Sequence, residues 1–114
     1  MVGKLQVGNT SFTINFEDNQ TVAKLQQLFP LTITMNELNG NEKYYYLSTT
    51  LPTNSSRVSF INAGDVMLYG NNCLVVFYES FSSGYSYTKL GHIENPKNLK
   101  SALGGGNVKV SWSV

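Results

Sequence analysis

The stretch Gly64-Asp65-Val66-Met67-Leu68-Tyr69-Gly70-Asn71-Asn72-Cys73-Leu74-Val75-Val76-Phe77-Tyr78 decides the fold class. From Cys73 to Tyr78 every position is apolar, so neither face of this segment tolerates water. That marks a strand in the middle of a sheet. Gly70-Asn71-Asn72 supplies turn residues between it and the apolar run Val66–Tyr69, and Ala63-Gly64-Asp65 supplies another turn before that run.

Outward from this pair, the same grammar continues. Lys4–Val7 and Ser11–Phe16 flank Gly8-Asn9, and Phe12, Ile14 and Phe16 alternate with polar residues, the pattern of a half-buried hairpin. The period then changes. Val22, Leu25, Leu28 and Phe29 make one helical stripe, Asp18 or Asn19 can cap it, and Pro30 stops it, which predicts a helix over Gln20–Phe29. Leu31–Met35 alternates as a strand, Asn39-Gly40-Asn41 is a turn, and Lys43–Leu47 is β-prone through three consecutive tyrosines. Ser48–Ser56 is a loop and Arg57–Ile61 a short strand. Phe81–Tyr85 reads as an exposed loop, and Ser86–Ile93 as a strand ending near Gly91. Asn95-Pro96 opens a short helix with Leu99, Ala102 and Leu103 inward, Gly104-Gly105-Gly106 ends it as a flexible connection, and Asn107–Ser113 is the last strand. Many short strands with two short helices and no linker give one domain, residues 1–114. Its class is mainly β, a closed or nearly closed barrel of about eight strands.

Composition narrows the function. Charged residues are 13% of the chain, against a usual share of roughly 25%. Asn, Ser and Thr take their place, at 34 of 114 residues. A net charge of +1 is no footprint for nucleic acid. No apolar run approaches the ~20 residues of a membrane span. One Cys and one His offer no metal-ligand set, and no cofactor motif is present. Met1-Val2-Gly3-Lys4 lacks the features of a secretory leader, so the chain as given reads as soluble and cytoplasmic, or extracytoplasmic had a leader preceded Met1.

Leu5–Leu28, a hairpin feeding a helix, resembles the opening of the cyclophilin barrel. Leu90-Gly91-His92-Ile93 followed by Asn95–Leu103 resembles the cyclophilin strand that runs into the second helix. Asn39–Tyr46, Leu51–Asn54, Ala63–Gly70 and Ser86–Gly91 are similar to the small bacterial cyclophilin-like fold family, and the likeness spans nearly the whole chain. The resemblance implies a fold and no settled activity. Cyclophilin isomerases use an Arg in a Phe-His-Arg strand, with Gln, Phe, Trp and His around it. Here the corresponding strand is Lys43–Leu47, without Arg, and Cys73–Phe77 lacks the Gln. By the same comparison the pocket His falls on Tyr87, and the Trp falls near Ser82, beside Phe81. The constellation is largely unmatched, so no catalytic residue is assigned.

Seven tyrosines against few charges favour a binding surface, because such rings combine contact area with a hydrogen-bonding tip. The expected function is a non-catalytic module for a peptide or small ligand, with Tyr45, Arg57, Phe81 and Tyr87 as binding residues and Tyr44, Tyr46, Tyr69, Tyr78 and Tyr85 near the same groove. The alternative is a prolyl isomerase with a rebuilt site, in which Arg57 replaces the lost Arg. Other polar groups have simpler readings. Asp65 serves its turn, Glu79 pairs with Lys89, Cys73 is a buried inert thiol, and Glu42 and Lys43 keep an edge strand soluble. Were Lys43–Leu47 such an edge, it would let two copies pair as a dimer.

Overall fold

The computed structural model describes residues 1–114. It opens with the hairpin β1 (Val2–Val7) and β2 (Thr10–Phe16), in which Leu5 pairs with Phe12 and Gly3 with Ile14. Helix α1 spans Gln20–Gln26. The Asn19 side chain caps it by accepting from the Val22 N–H at 2.8 Å, and its amide donates to the Lys89 carbonyl at 3.0 Å, so the cap also ties the helix to a distant strand. The helix ends at Gln26 rather than Phe29. The N–H groups of Gln27, Leu28 and Phe29 each bond three residues back, because a residue before proline is disfavoured in the α region and the last turn tightens.

Strands β3 (Leu31–Leu38) and β4 (Glu42–Tyr46) follow. Asn39 and Gly40 join them with φ of 58° and 68°, the left-handed conformation these two residues tolerate best. Next come β5 (Ser56–Arg57), β6 (Phe60–Ile61), β7 (Asp65–Tyr69), β8 (Cys73–Phe77), β9 (Phe81–Ser82) and β10 (Ser86–Ile93). A 3-10 turn at Pro96–Asn98, helix α2 (Leu99–Leu103) and β11 (Val108–Ser113) complete the chain.

Eight antiparallel strands run in the order β2-β1-β11-β3-β4-β8-β7-β10, and β10 pairs back onto β2 to close the barrel. The closed barrel with two short helices is the expected fold class. Four local expectations are corrected. Strand β4 is no edge, since it is hydrogen-bonded to β3 on one side and β8 on the other; pairing of two copies through it is therefore blocked. Arg57–Ile61 is two pieces, because β5 pairs with β10 while β6 pairs with β9. Phe81–Tyr85 is not a free loop, since Phe81–Ser82 forms β9. Gly91 does not end β10. It pairs with both Phe16 and Val66 at the closure of the barrel.

The main core fills the barrel with 22 buried side chains, among them Leu5, Ile14, Leu25, Met35, Leu68, Leu74, Leu90 and Trp112. A second cluster lies on the outside of the wall. Strands β7 and β8 send Val66, Leu68, Leu74 and Val76 inward, and Met67, Cys73, Val75 and Phe77 outward. Val58 and Ile61 from the β5–β6 segment, with Phe81 and Tyr87 from β9 and β10, cover the outward set. The two-faced apolar pattern of Cys73–Tyr78 has this cause: one face belongs to the barrel and the other to a core under a strap.

Candidate functional site

The strap covers only part of the outer cluster. Phe77 is roofed by Phe81 and Tyr87, with ring centroids 5.7 and 5.6 Å away. Cys73 and Val75, further along the same strand, instead form the floor of a cavity of about 380 Å³. Register places its walls. Tyr46 and Tyr69 are the cross-strand partners of Cys73 on either side, and Tyr44 is the partner of Val75. Tyr85 and Tyr87 close the third side. The rings meet at steep angles: Tyr44 and Tyr46 at 73°, Tyr69 and Tyr85 at 90°. Tyr46, Tyr69 and Tyr85 are exposed, and such a cluster of exposed aromatics marks an interaction surface rather than scattered surface residues.

Alternation along β4 decides which side chains reach this cavity. Glu42, Tyr44 and Tyr46 face it. Lys43, Tyr45 and Leu47 take the barrel side, where Tyr45 and Leu47 pack on the main core. Of the four residues expected to bind ligand, the structure brings Phe81 and Tyr87 together on Phe77. It leaves Arg57 outside the cavity lining, paired in register with Ser86 and with its guanidinium beside Gly84. It puts Tyr45 on the opposite face of the wall. Tyr78 also belongs to the main core rather than the groove. Sequence reasoning reached Tyr44 and Tyr46 only as members of the tyrosine triplet, without separating them from Tyr45, and it set Glu42 aside as a solubilising charge. The signal available was Leu47, an apolar residue two positions after Tyr45, which assigns Tyr45 to the buried set and its neighbours to the other face.

Glu42 stands at the inner edge of the cavity, half-buried. Burial first, and the negative charge of Glu37 second, push its carboxyl up to about 7. The Cys73 thiol is pushed up to about 11, by burial and then by Glu42, so it is an unreactive thiol at neutral pH. Tyr87 is raised for the same two reasons in the same order. No Lys, Arg or His lines the cavity.

A stability prediction follows from Glu42. Its folded pKa lies above its ordinary value of 4.5, so its contribution is fully favourable below pH ~4.5 and is lost as pH rises through about 7. Glu42→Gln removes that loss. With solvent screening of a half-exposed carboxyl, the variant should be about 1 kcal/mol more stable than the parent at pH 8, and equal to it at pH 4. Urea unfolding at the two pH values measures this, and an equal gain at both would contradict the assignment.

The remaining polar groups have structural partners. Lys43 is fully buried rather than exposed at an edge, a correction taken up in the Discussion. Glu79 pairs with Lys100 at 3.3 Å, not with Lys89. His92 Nδ1 lies 2.9 Å from Asp65 Oδ1, and the other Asp65 oxygen accepts from the Asn62 N–H, so the aspartate closes its own turn. No helix is long and apolar enough to cross a membrane.

No curated protein and no solved structure matches the chain. A family sequence model does, over residues 5–113, which takes in the closed barrel, both helices and the strap. With a β10–β2 closure, a helix after the first hairpin and a second before the last strand, the chain belongs to the cyclophilin-like family.

Proposed function

We propose that this cyclophilin-like domain is a binding module that takes a peptide or small organic ligand in the tyrosine-walled cavity. The observation that carries this reading is the uncovered end of the outer apolar cluster, where Cys73 and Val75 lie under a cavity walled mainly by tyrosine side chains. An apolar floor with hydroxyl-tipped walls suits a ligand that is partly apolar and partly polar. Phe81 and Tyr87 serve as the fixed support of the cavity, and Arg57, on the strand paired with the start of β10, is available to a carboxylate or carbonyl of a chain that extends beyond the cavity. The isomerase alternative needs an Arg over the groove, and Arg57 is not among the residues lining it.

An NMR screen of small fragments and X-Pro peptides against the labelled protein tests the reading. Binders should shift the resonances of Tyr44, Tyr46, Tyr69, Tyr85 and Val75. Tyr69→Ala should weaken them by at least roughly tenfold, the loss expected of a central aromatic anchor. A screen without binders, or with binders that shift only other surfaces, overturns it.

A further inference from the structure

Five tyrosines line the cavity, and its one formal charge is a carboxylate. That carboxylate is unpaired. None of the three ion pairs in the molecule includes Glu42, and no hydrogen bond from a neighbouring side chain holds it. A buried carboxylate ordinarily recruits a cation or several donors. Glu37, by contrast, has Lys43, Tyr78 and the Gly40 N–H around it. Glu42 alone faces aromatic rings.

We propose that the cavity binds an organic ammonium group, boxed by the faces of the tyrosine rings and opposed by the Glu42 carboxylate; the inference rests on the binding reading above. Aromatic faces carry the negative end of the ring quadrupole and attract a cation within about 6 Å of the centroid. Rings set at 73° and 90° to one another give a cation several such walls at once, where parallel rings would give two. The volume of about 380 Å³ holds an ammonium head with a short chain. An anion would meet Glu42 with no Lys, Arg or His to compensate. A neutral apolar ligand would deepen the burial of an unpaired carboxylate.

The groups facing Glu42 set the pH dependence. They are Glu37 from β3, Cys73 from β8, Tyr69 from β7, Tyr44 and Tyr46 from β4 itself, and Tyr85 and Tyr87 from the β10 side. None of them is a cation that could neutralise Glu42, and its carboxyl, pushed up to about 7, gives binding its pH dependence.

The test is titration of the labelled protein with tetramethylammonium, choline and butylammonium, at pH 5.5 and 8.5. The neutral isostere of choline, 3,3-dimethylbutanol, runs beside them. The cations should shift the cavity tyrosines and bind roughly tenfold tighter at the higher pH, and the isostere should bind at least about tenfold more weakly than choline. Glu42→Gln, which leaves the fold intact, should remove the pH dependence and weaken the cations to their pH 5.5 level. Tyr69→Leu should weaken them while leaving the dependence in place. Equal binding of choline and its isostere would overturn the ammonium assignment and leave the binding reading standing. Absence of any shift with all three cations would also overturn it, and the fragment and peptide screen then decides the binding reading separately.

Discussion

Lys43→Met should lower stability by about 3–4 kcal/mol, a loss as large as that of truncating a core side chain. The Lys43 ammonium is fully enclosed and its three donors are all used. Two go to the carbonyls of Gly104 and Gly106, and the third to Glu37 Oε1 at 2.9 Å. The Tyr78 ring lies 5.5 Å from the nitrogen, and the Tyr78 hydroxyl donates to Glu37 at 2.7 Å. Methionine matches the length of the lysine stem but strands two carbonyls and a carboxylate. Burial alone would raise the Glu37 carboxyl, yet hydrogen bonds from Tyr78, Lys43 and Gly40 together hold it below its ordinary value of 4.5. Its stabilising contribution is therefore present above pH ~4.5 and lost as pH falls through the lowered folded value. The deficit of Lys43→Met should accordingly shrink in acid. Adding Glu37→Gln to Lys43→Met should recover part of the loss, because the uncompensated carboxylate is gone. Chemical denaturation of the parent and the two variants measures this. A single-variant loss below about 1 kcal/mol would mean that the network contributes no more than an exposed ion pair.

The same lysine shows where the sequence could be read and where it could not. Charge normally marks the wet face of a strand, so Lys43 argues that its alternate neighbours, Tyr45 and Leu47, face out with it. In the barrel the lysine is dry because the glycine turn after α2 presents carbonyls to it. That partner lies more than sixty residues away and has no local pattern. Residue type alone therefore does not tell which face of β4 carries Tyr45 and which carries Tyr44 and Tyr46. The glycine run is also explained: its carbonyls anchor it to the wall, so it is more than a flexible connection.

Other features were legible because their causes are local. The Asn19 cap, the turns at Gly8-Asn9 and Asn39-Gly40, and the two-faced run Cys73–Tyr78 all follow from residue type and spacing. The strap was harder. Strands β6 and β9 are two residues each, shorter than any repeating pattern, and Phe81 is recognised as half-buried only once Phe77 is known to point outward. The site was half legible for the same reason. A surplus of tyrosine signals a binding surface, but which rings share a cavity depends on cross-strand register. Tyr46, Cys73 and Tyr69 become one row only when β4, β8 and β7 are laid side by side. Glu42 looked like a solubilising charge, and its lack of a partner is a three-dimensional fact.

Gly91→Ala should cost about 3 kcal/mol, at the upper end of overpacking losses in a tightly built core. Gly91 is the residue at which β10 touches both neighbours, paired with Phe16 on β2 and Val66 on β7. A Cβ there would stand 2.6 Å from the Asn15 carbonyl oxygen and 3.2 Å from both Ile14 Cγ1 and Phe16 Cα. The nearest obstacle is backbone, which cannot rotate aside as a side chain can. Relief requires β2 and β10 to separate at the seam that makes an open sheet into a barrel. The adjacent shift in register between Lys89 and Gly91 leaves little slack, because it already bends β10 between its two neighbours. A thermal melt should show a drop of about 10–15 °C for a domain of this size. Gly105→Ala is the matched control. A Cβ at Gly105 meets nothing within 4 Å, so that variant should stay within about 0.5 kcal/mol of the parent. Were Gly91→Ala to melt with the control, the β2–β10 seam would have to be looser than this packing allows. The cavity should report the same event at a distance, since β10 carries Tyr87 as well as the seam. Splaying β10 from β2 should therefore weaken ligand binding in Gly91→Ala even at temperatures where the variant remains folded.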